Sequence, residues 1–348
     1  MKKKKVGVVG SIGDSADGQT IKTMTLISAL RRETNWKIVE VNTQERNRNP
    51  IKLFFCTIHM LLHCKDVFIL VSRNGAKFFF PILFFFAKIF RTKVYHDAIG
   101  NCAVNYAHSG RRHVKYLNSF KVNWVETFRM LEDLRDAGVN NVEQLYNFKD
   151  LKIINENQLK EKFTQPYPLC TFSRVIKEKG IEDAICAVEE FNKKNNKIIF
   201  SLDIYGAIDE GYKNDFYKII KSSHTEICYK GVVPFNKSIE TIQNYFALLF
   251  PTYWDGEGFP GTIIDALFSG VPIVATDWMS NSELIRNNYT GIIYPNKNIN
   301  DLFSALMWMS ENITKMIEMR KYCLLDAKQY EASRLINKII GKVEECKK

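Results

Sequence analysis

The stretch Phe246-Ala247-Leu248-Leu249-Phe250-Pro251-Thr252-Tyr253-Trp254-Asp255-Gly256-Glu257-Gly258-Phe259-Pro260-Gly261-Thr262-Ile263-Ile264-Asp265-Ala266-Leu267 reads as a strand, a loop and a helix in succession. Phe246–Phe250 is short, apolar throughout and stopped by Pro251, as expected of a strand buried on both faces. The loop that follows is polar and rich in glycine, so the backbone can approach a ligand closely. A helix begins near Gly261, where free N–H groups and a partial positive charge suit a phosphate or a sugar hydroxyl. Two carboxylates bracket the turn, Glu257 before the helix and Asp265 just over one turn into it.

The same unit recurs along most of the chain. Apolar strands are predicted at Lys5–Gly10, Lys37–Val41, Val67–Val71, Thr92–His96, Asn123–Glu126 and Val142–Leu145. A second set follows at Leu169–Ser173, Ile198–Tyr205, Glu226–Tyr229, Phe246–Phe250, Ile273–Thr276 and Ile292–Tyr294, with helical patterns between. Alternation of this kind means βαβ units and parallel sheets. Gln165-Pro166-Tyr167-Pro168 interrupts it and marks a linker. The expected fold class is therefore α/β, two doubly wound Rossmann-like domains facing a cleft. The domains are residues 1–165, residues 166–330, and a C-terminal helix over 331–348 packing back toward the first.

With 348 residues, 46% hydrophobic and 25% charged, the chain has the composition of a globular protein with packed cores. Its eight cysteines form no CxxC and no repeated spacing, which excludes a zinc-ribbon or disulfide framework and predicts reduced, mostly buried thiols. The ten-residue run Phe78–Ala87 contains Pro81 and falls short of the roughly twenty residues needed to span a bilayer, so no transmembrane segment is expected. The net charge of +11 is unevenly placed. Residues 1–165 hold 27 Lys and Arg against 15 Asp and Glu, and residues 166–348 hold 22 against 23. An anionic partner is expected for the first half. No nucleic-acid motif accompanies the charge, which favours an anionic membrane surface or a phosphorylated acceptor over nucleic acid. The Phe-rich segment with its flanking Lys77, Lys88, Arg91 and Lys93 reads either as a buried helix or as an interfacial one.

A second constellation is Thr171-Phe172-Ser173-Arg174-Val175-Ile176-Lys177-Glu178-Lys179-Gly180. Arg174 and Lys179 stand where a strand gives way to a helix. A guanidinium fork and an ammonium suit a diphosphate leaving group, whose developing charge they would offset. Lys177 is assigned to the solvated surface.

These strings resemble family 4 of the glycosyltransferases, also called group 1, which have the GT-B fold. The family's S-R-x-x-x-x-K-G string matches Ser173 to Gly180, which implies that Arg174 and Lys179 bind the donor diphosphate. Its E-G-F-x-x-x-x-x-E string matches Glu257-Gly258-Phe259 onward, which implies donor-sugar contacts for Glu257 and the helix start Gly258, Phe259, Pro260 and Gly261. The second acid maps onto Asp265, a methylene shorter than the family's Glu, with ribose binding as its implied role. Gly270–Asp277 resembles the family's G-x-P-V-V-A-T segment. Tyr229-Lys230-Gly231-Val232-Val233 resembles its nucleobase loop, hence Val232, and Tyr205-Gly206 a small-residue strand end beside the donor. The resemblance implies a retaining, metal-independent hexosyltransferase with no cofactor, and with a nucleoside-diphosphate sugar, in the first place a UDP-sugar, as donor. No D-x-D string is present to hold a metal. A lipid-linked or glycan acceptor and a place in polysaccharide or glycolipid assembly, at the cytoplasmic face of the membrane, complete the expectation. A GT-B nucleotide-sugar epimerase and a non-catalytic nucleotide-sugar-binding subunit are the alternatives.

In the first half, Gly10–Thr23 does not fit the dinucleotide pattern G-x-G-x-x-G. It resembles the family's first glycine-rich loop, which makes Gly18, Gln19, Thr20 and Lys22 candidates on the acceptor or sugar side, with a simple helix cap at Asp17 or Thr20 as the alternative. His96 and Asp97 are expected to face the cleft together from a strand end, His96 toward the donor sugar by resemblance. Glu126-Thr127 is a weaker candidate of the same kind, and His59 and His63 are assigned to helix surface or core.

Overall fold

A computed structural model describes residues 3–13, 17–224, 226–295 and 298–345. The chain forms two compact units, one made of the residues up to Asp150 together with those from Tyr330 onward, the other of Leu151–Gln329. Leu151–Gln165 thus lies in the second unit rather than with the strands that precede it.

The first unit holds strands β1 (Lys5–Gly10), β2 (Lys37–Asn42), β3 (Asp66–Leu70), β4 (Lys93–Asp97), β5 (Val122–Val125) and β6 (Val142–Gln144). All pair in parallel in the order β2-β1-β3-β4-β5-β6. One apolar layer lies between this sheet and the helices Pro50–His63 and Arg73–Ile89, with Phe79, Phe80 and Leu83 at its centre. The opposite face carries Leu26, Ile27 and Leu30 of helix Gly18–Glu33, with Leu335, Ile336 and Ile339 of helix Ala332–Glu345. Lys338 of this last helix donates to the Gln144 carbonyl at 2.7 Å, and Lys342 pairs with Glu143. Residues 346–348, within the expected C-terminal helix, lie outside the described residues.

The second unit holds β7 (Tyr167–Phe172), β8 (Phe200–Tyr205), β9 (Ile227–Gly231), β10 (Ala247–Phe250), β11 (Ile273–Thr276) and β12 (Gly291–Tyr294), parallel in the order β12-β11-β10-β7-β8-β9. Every residue of β10 and β11 is buried, because helices cover both faces of a doubly wound sheet. The chain enters at β7, lays β8 and β9 to one side, then returns to place β10, β11 and β12 on the other. The winding direction therefore reverses between β7 and β10. Such switch points open a crevice at the carboxyl ends of the two strands, and the two motif-bearing loops leave from those ends.

Two expectations need correction. Only Cys64, Cys170 and Cys323 are buried among the described cysteines, while Cys56 and Cys186 are exposed. Both exposed residues fall on the solvent-facing sides of amphipathic helices, where an apolar sequence neighbourhood says nothing about facing. His96 and Asp97 do not share a face. Adjacent strand residues point to opposite sides. The His96 ring packs 5.0 Å from Phe80 in one layer, while Asp97 meets Lys22 of helix Gly18–Glu33 in the other.

Candidate functional site

The site on the second unit begins where β7 ends. Val175 donates to the Ala207 carbonyl at 2.8 Å, and the chain then makes a 3₁₀ turn over Lys177–Lys179. Gly180 closes the turn with φ +68° and leads into helix Ile181–Lys194. A Cβ at Gly180 would stand 2.2 Å from the Pro251 carbonyl oxygen, so only glycine lets the turn lie against the end of β10. Tyr253 N–H donates to the Glu178 carbonyl at 2.8 Å and ties the two loops together.

This approach brings Lys179 to Glu257. The two are 7% and 5% exposed and form a direct ion pair. Thr252 Oγ1 donates to the same carboxylate oxygen at 2.9 Å, and the Thr252 carbonyl accepts from Thr276 Oγ1 at 2.6 Å, fixing the strand end. Burial pushes the Lys179 ammonium below its ordinary range. Glu257 opposes that shift and the charge of Arg174 adds to it. Arg174 is exposed, with its guanidinium 4.9 Å from the Trp254 ring centroid, and Lys179 Nζ lies 4.9 Å from the same centroid. Trp254 is held by its own carbonyl, which accepts from Glu257 N–H at 3.0 Å and from Trp278 Nε1 at 2.9 Å. Arg174, Lys179 and Glu257 sum to one positive charge around one indole, an arrangement that suits an anion carrying more than one negative charge.

Beyond the loop, Gly258, Phe259 and Pro260 are buried, and Pro260 stands at the N-cap of helix Gly261–Phe268 without a side-chain cap. Asp265 lies on the buried side of that helix, 3% exposed. On the other flank, Gly206 ends β8 with φ +139°. A Cβ there would sit 1.7 Å from the Ser173 carbonyl oxygen, so glycine is required for the strand end to press against Arg174's backbone. Gly206 N–H donates to the Gly231 carbonyl at 2.9 Å, and the neighbouring Val232 is exposed. The carboxyl edge of this sheet thus gathers Arg174, Lys179, Gly206, Val232, Glu257 and the helix start. The sequence singled out neither Thr252 nor Trp254 for a role. Their positions at the end of β10, directly before the acid, were the available signal.

The candidates on the first unit part company. Lys22, buried, directs its ammonium at Asp97 Oδ1 (2.7 Å), Glu126 Oε1 (2.8 Å) and the Ala98 carbonyl (2.9 Å). These acceptors use all three of its donors, so Lys22 fixes the ends of β4 and β5 to helix Gly18–Glu33 and has no donor left for a ligand. Asp17 caps that helix, accepting from Thr20 N–H at 3.0 Å and from Thr20 Oγ1 at 2.7 Å. Gln19 Nε2 donates to the Leu70 carbonyl at 3.2 Å, and Gly18 opens the helix. His96 is enclosed by Phe80 and Phe120, with Nδ1 2.9 Å from Asn123 Oδ1, and burial pushes it down to about 4. Thr127 caps the helix Phe128–Asp136.

Residues 153–328, which nearly coincide with the second unit, match the family model of the glycosyl transferases group 1. The chain belongs to the group 1 glycosyl transferases. Among curated relatives, it is 24% identical over 188 residues to an uncharacterized glycosyltransferase of Methanocaldococcus jannaschii, covering 49% of this chain and 46% of that protein. It is 26% identical over 188 residues to the UDP-N-acetylglucosamine–peptide N-acetylglucosaminyltransferase GtfA subunit of Streptococcus pneumoniae, covering 52% of this chain and 36% of that one. The chain therefore spans less than half the length of these relatives. Among solved structures, Anabaena HepE in complex with UDP superposes with a TM-score of 0.76 at 11% identity, over 98% of this chain and all of that one. This likeness establishes the GT-B fold of two Rossmann-like domains.

Proposed function

We propose that this group 1 protein is a retaining hexosyltransferase that moves a sugar from a nucleoside-diphosphate sugar to a lipid-linked or glycan acceptor. UDP-sugar is the first donor to test, because HepE holds UDP and the pneumococcal relative is named for a UDP-sugar. The observation that carries the reading is the convergence of Arg174, Lys179 and Glu257 at the switch point between β7 and β10.

As the bond between the anomeric carbon and the diphosphate breaks, negative charge grows on the leaving oxygen. Arg174, exposed and steadied by Trp254, meets it with a bidentate fork, and Lys179 meets it with an ammonium already held in place by Glu257. Two cationic side chains at the diphosphate supply the charge that a divalent ion supplies elsewhere, so transfer is expected to proceed without metal. Glu257 and the segment Gly258–Gly261 hold the sugar hydroxyls, and Asp265 accepts from the ribose. No covalent nucleophile is assigned, and retention rests on membership of the resembled family. The acceptor is met at the cytoplasmic face of a membrane, in polysaccharide or glycolipid assembly, with the basic first half toward anionic lipid.

The test is a thermal-shift screen of uridine and guanosine diphosphate sugars, followed by transfer in the presence of a chelator and NMR of the product's anomeric proton. Stabilisation by one donor class, transfer without metal and a retained configuration are expected. Inversion, or conversion of the donor without an acceptor, would overturn the reading.

A further inference from the structure

One surface of the first unit is left unused by the chemistry above. Helix Pro50–His63 buries Leu53, Thr57, Met60 and Leu61 and turns Ile51, Phe55 and Leu62 outward, 70%, 64% and 52% exposed. Helix Arg73–Ile89 likewise leaves Phe85 and Ile89 exposed, at 55% and 67%. The two outer faces join through their rings. Phe54 lies 5.6 Å from Phe55 and 5.9 Å from Phe86, and Phe86 lies 6.2 Å from Phe90. Large side chains exposed in a row across two neighbouring helices mark an interaction surface.

The exposed charges carried by the two helices and the segment between them have one sign. Residues 46–121 contain thirteen Lys and Arg and only two acids, Asp66 and Asp97. Both acids are buried, and they pair at 2.7 Å with Lys4 and Lys22 respectively. No carboxylate of this segment therefore reaches its surface, whereas Lys52, Lys65, Lys88 and Arg91 are exposed beside the phenylalanines. Protein–protein interfaces are depleted in lysine, whereas helices lying in a bilayer interface combine Phe and Leu with a Lys- and Arg-rich flank. No helix of the described residues is long and apolar enough to cross a membrane.

We propose that the joined outer faces of helices Pro50–His63 and Arg73–Ile89 dock flat onto an anionic lipid bilayer. Ile51, Phe55, Phe85 and Ile89 enter the boundary between headgroups and acyl chains, and the surrounding cations bind lipid phosphates. The proposal deepens the membrane-face reading given above and rests on it for its purpose. Its test needs no sugar nucleotide.

The full chain is sedimented with vesicles of phosphatidylglycerol and phosphatidylcholine in equal parts, and with phosphatidylcholine alone. Binding to the anionic vesicles only is expected, weakening as salt is raised. The pair Phe55→Ser with Phe85→Ser, and separately the pair Lys52→Glu with Lys88→Glu, should each weaken it about tenfold or more. Because all four side chains are exposed, melting temperatures should not move. Equal binding to neutral vesicles, or binding unchanged in both double variants, would overturn the proposal. So would a dimer in solution that Phe55→Ser dissociates while vesicles are ignored. Vesicle binding without transfer from any donor would sink the transferase reading and leave the docking face standing. Loss of vesicle binding in the variants, with transfer to a water-soluble acceptor retained, would support both.

Discussion

Replacing Lys179 by Met separates what the buried ion pair does for the fold from what it does for the reaction. Methionine keeps the length and apolar stem of lysine and removes the charge. Lys179 and Glu257 are both more than nine-tenths buried, so the single substitution leaves the Glu257 carboxylate, still hydrogen-bonded by Thr252, without its neutralising cation in a poorly solvated site. Breaking a buried pair from one side costs about 3–5 kcal/mol. For a unit of this size that lowers the melting temperature by about 10 °C. Replacing both partners, Lys179→Met with Glu257→Leu, removes the stranded charge, and exchange of a buried pair for apolar groups is near neutral. Thr252 Oγ1 then retains the Glu178 carbonyl, at 3.5 Å, as an acceptor. The double variant should therefore melt within about 3 °C of the parent. Transfer should not recover with it. Loss of one cation facing the leaving diphosphate is worth about a hundredfold to a thousandfold in kcat, and the double variant lacks the sugar-side acid as well. The assays are scanning calorimetry and initial rates at saturating donor. A double variant as unstable as the single one would refute the energetic reasoning. A single variant with transfer within about tenfold of the parent would refute the assignment of Lys179 to the diphosphate.

Gly206→Ala places a methyl group against the Ser173 carbonyl in a positive-φ conformation; destabilisation by about 3 kcal/mol and weakened nucleotide binding are expected, by denaturant melts and calorimetry. Trp254→Ala removes the ring beneath both cations and should weaken UDP binding about tenfold with little change in melting, since Trp254 is only half-buried. Stability against pH should be nearly flat between pH 4 and 6.5, because two neighbours act oppositely. His96, pushed down from 6.5 to about 4 by burial, stabilises above 6.5 and loses that contribution as pH falls through 4. Asp97, pushed up from 3.8 to about 6 chiefly by burial, stabilises below 3.8 and loses that contribution as pH rises through 6. Asp97→Asn should expose the histidine term, with up to about 3 kcal/mol lost on acidification from pH 6.5 to 4; a flat profile in that variant would contradict it.

The strands were legible because strands of a doubly wound sheet are covered on both faces and read as continuous apolar runs, as at Val67–Val71 and Phe246–Phe250. The short helices Cys102–Ala107 and Arg111–Leu117 were not. Neither is long enough to build a helical period, and Gly110 separates them. The residues proposed for the donor side could be singled out because each loop carries its charged groups within a few positions, Arg174 to Lys179 and Glu257 to Gly261. Lys22 was assigned to a ligand because its true partners, Asp97 and Glu126, are far off in sequence and only the parallel pairing of β4 with β5 brings them to it. Trp254 gave no sign beyond its neighbours, since an aromatic in a loop acquires meaning only when two cations are found above it.

A crystal structure with UDP bound would show whether Arg174 and Lys179 receive the diphosphate. The diphosphate should lie within hydrogen-bonding distance of the Arg174 guanidinium and Lys179 Nζ, and the ribose hydroxyls should meet Asp265. UDP seated elsewhere on the chain, with Lys179 still paired only to Glu257 and Arg174 left in solvent, would contradict the account.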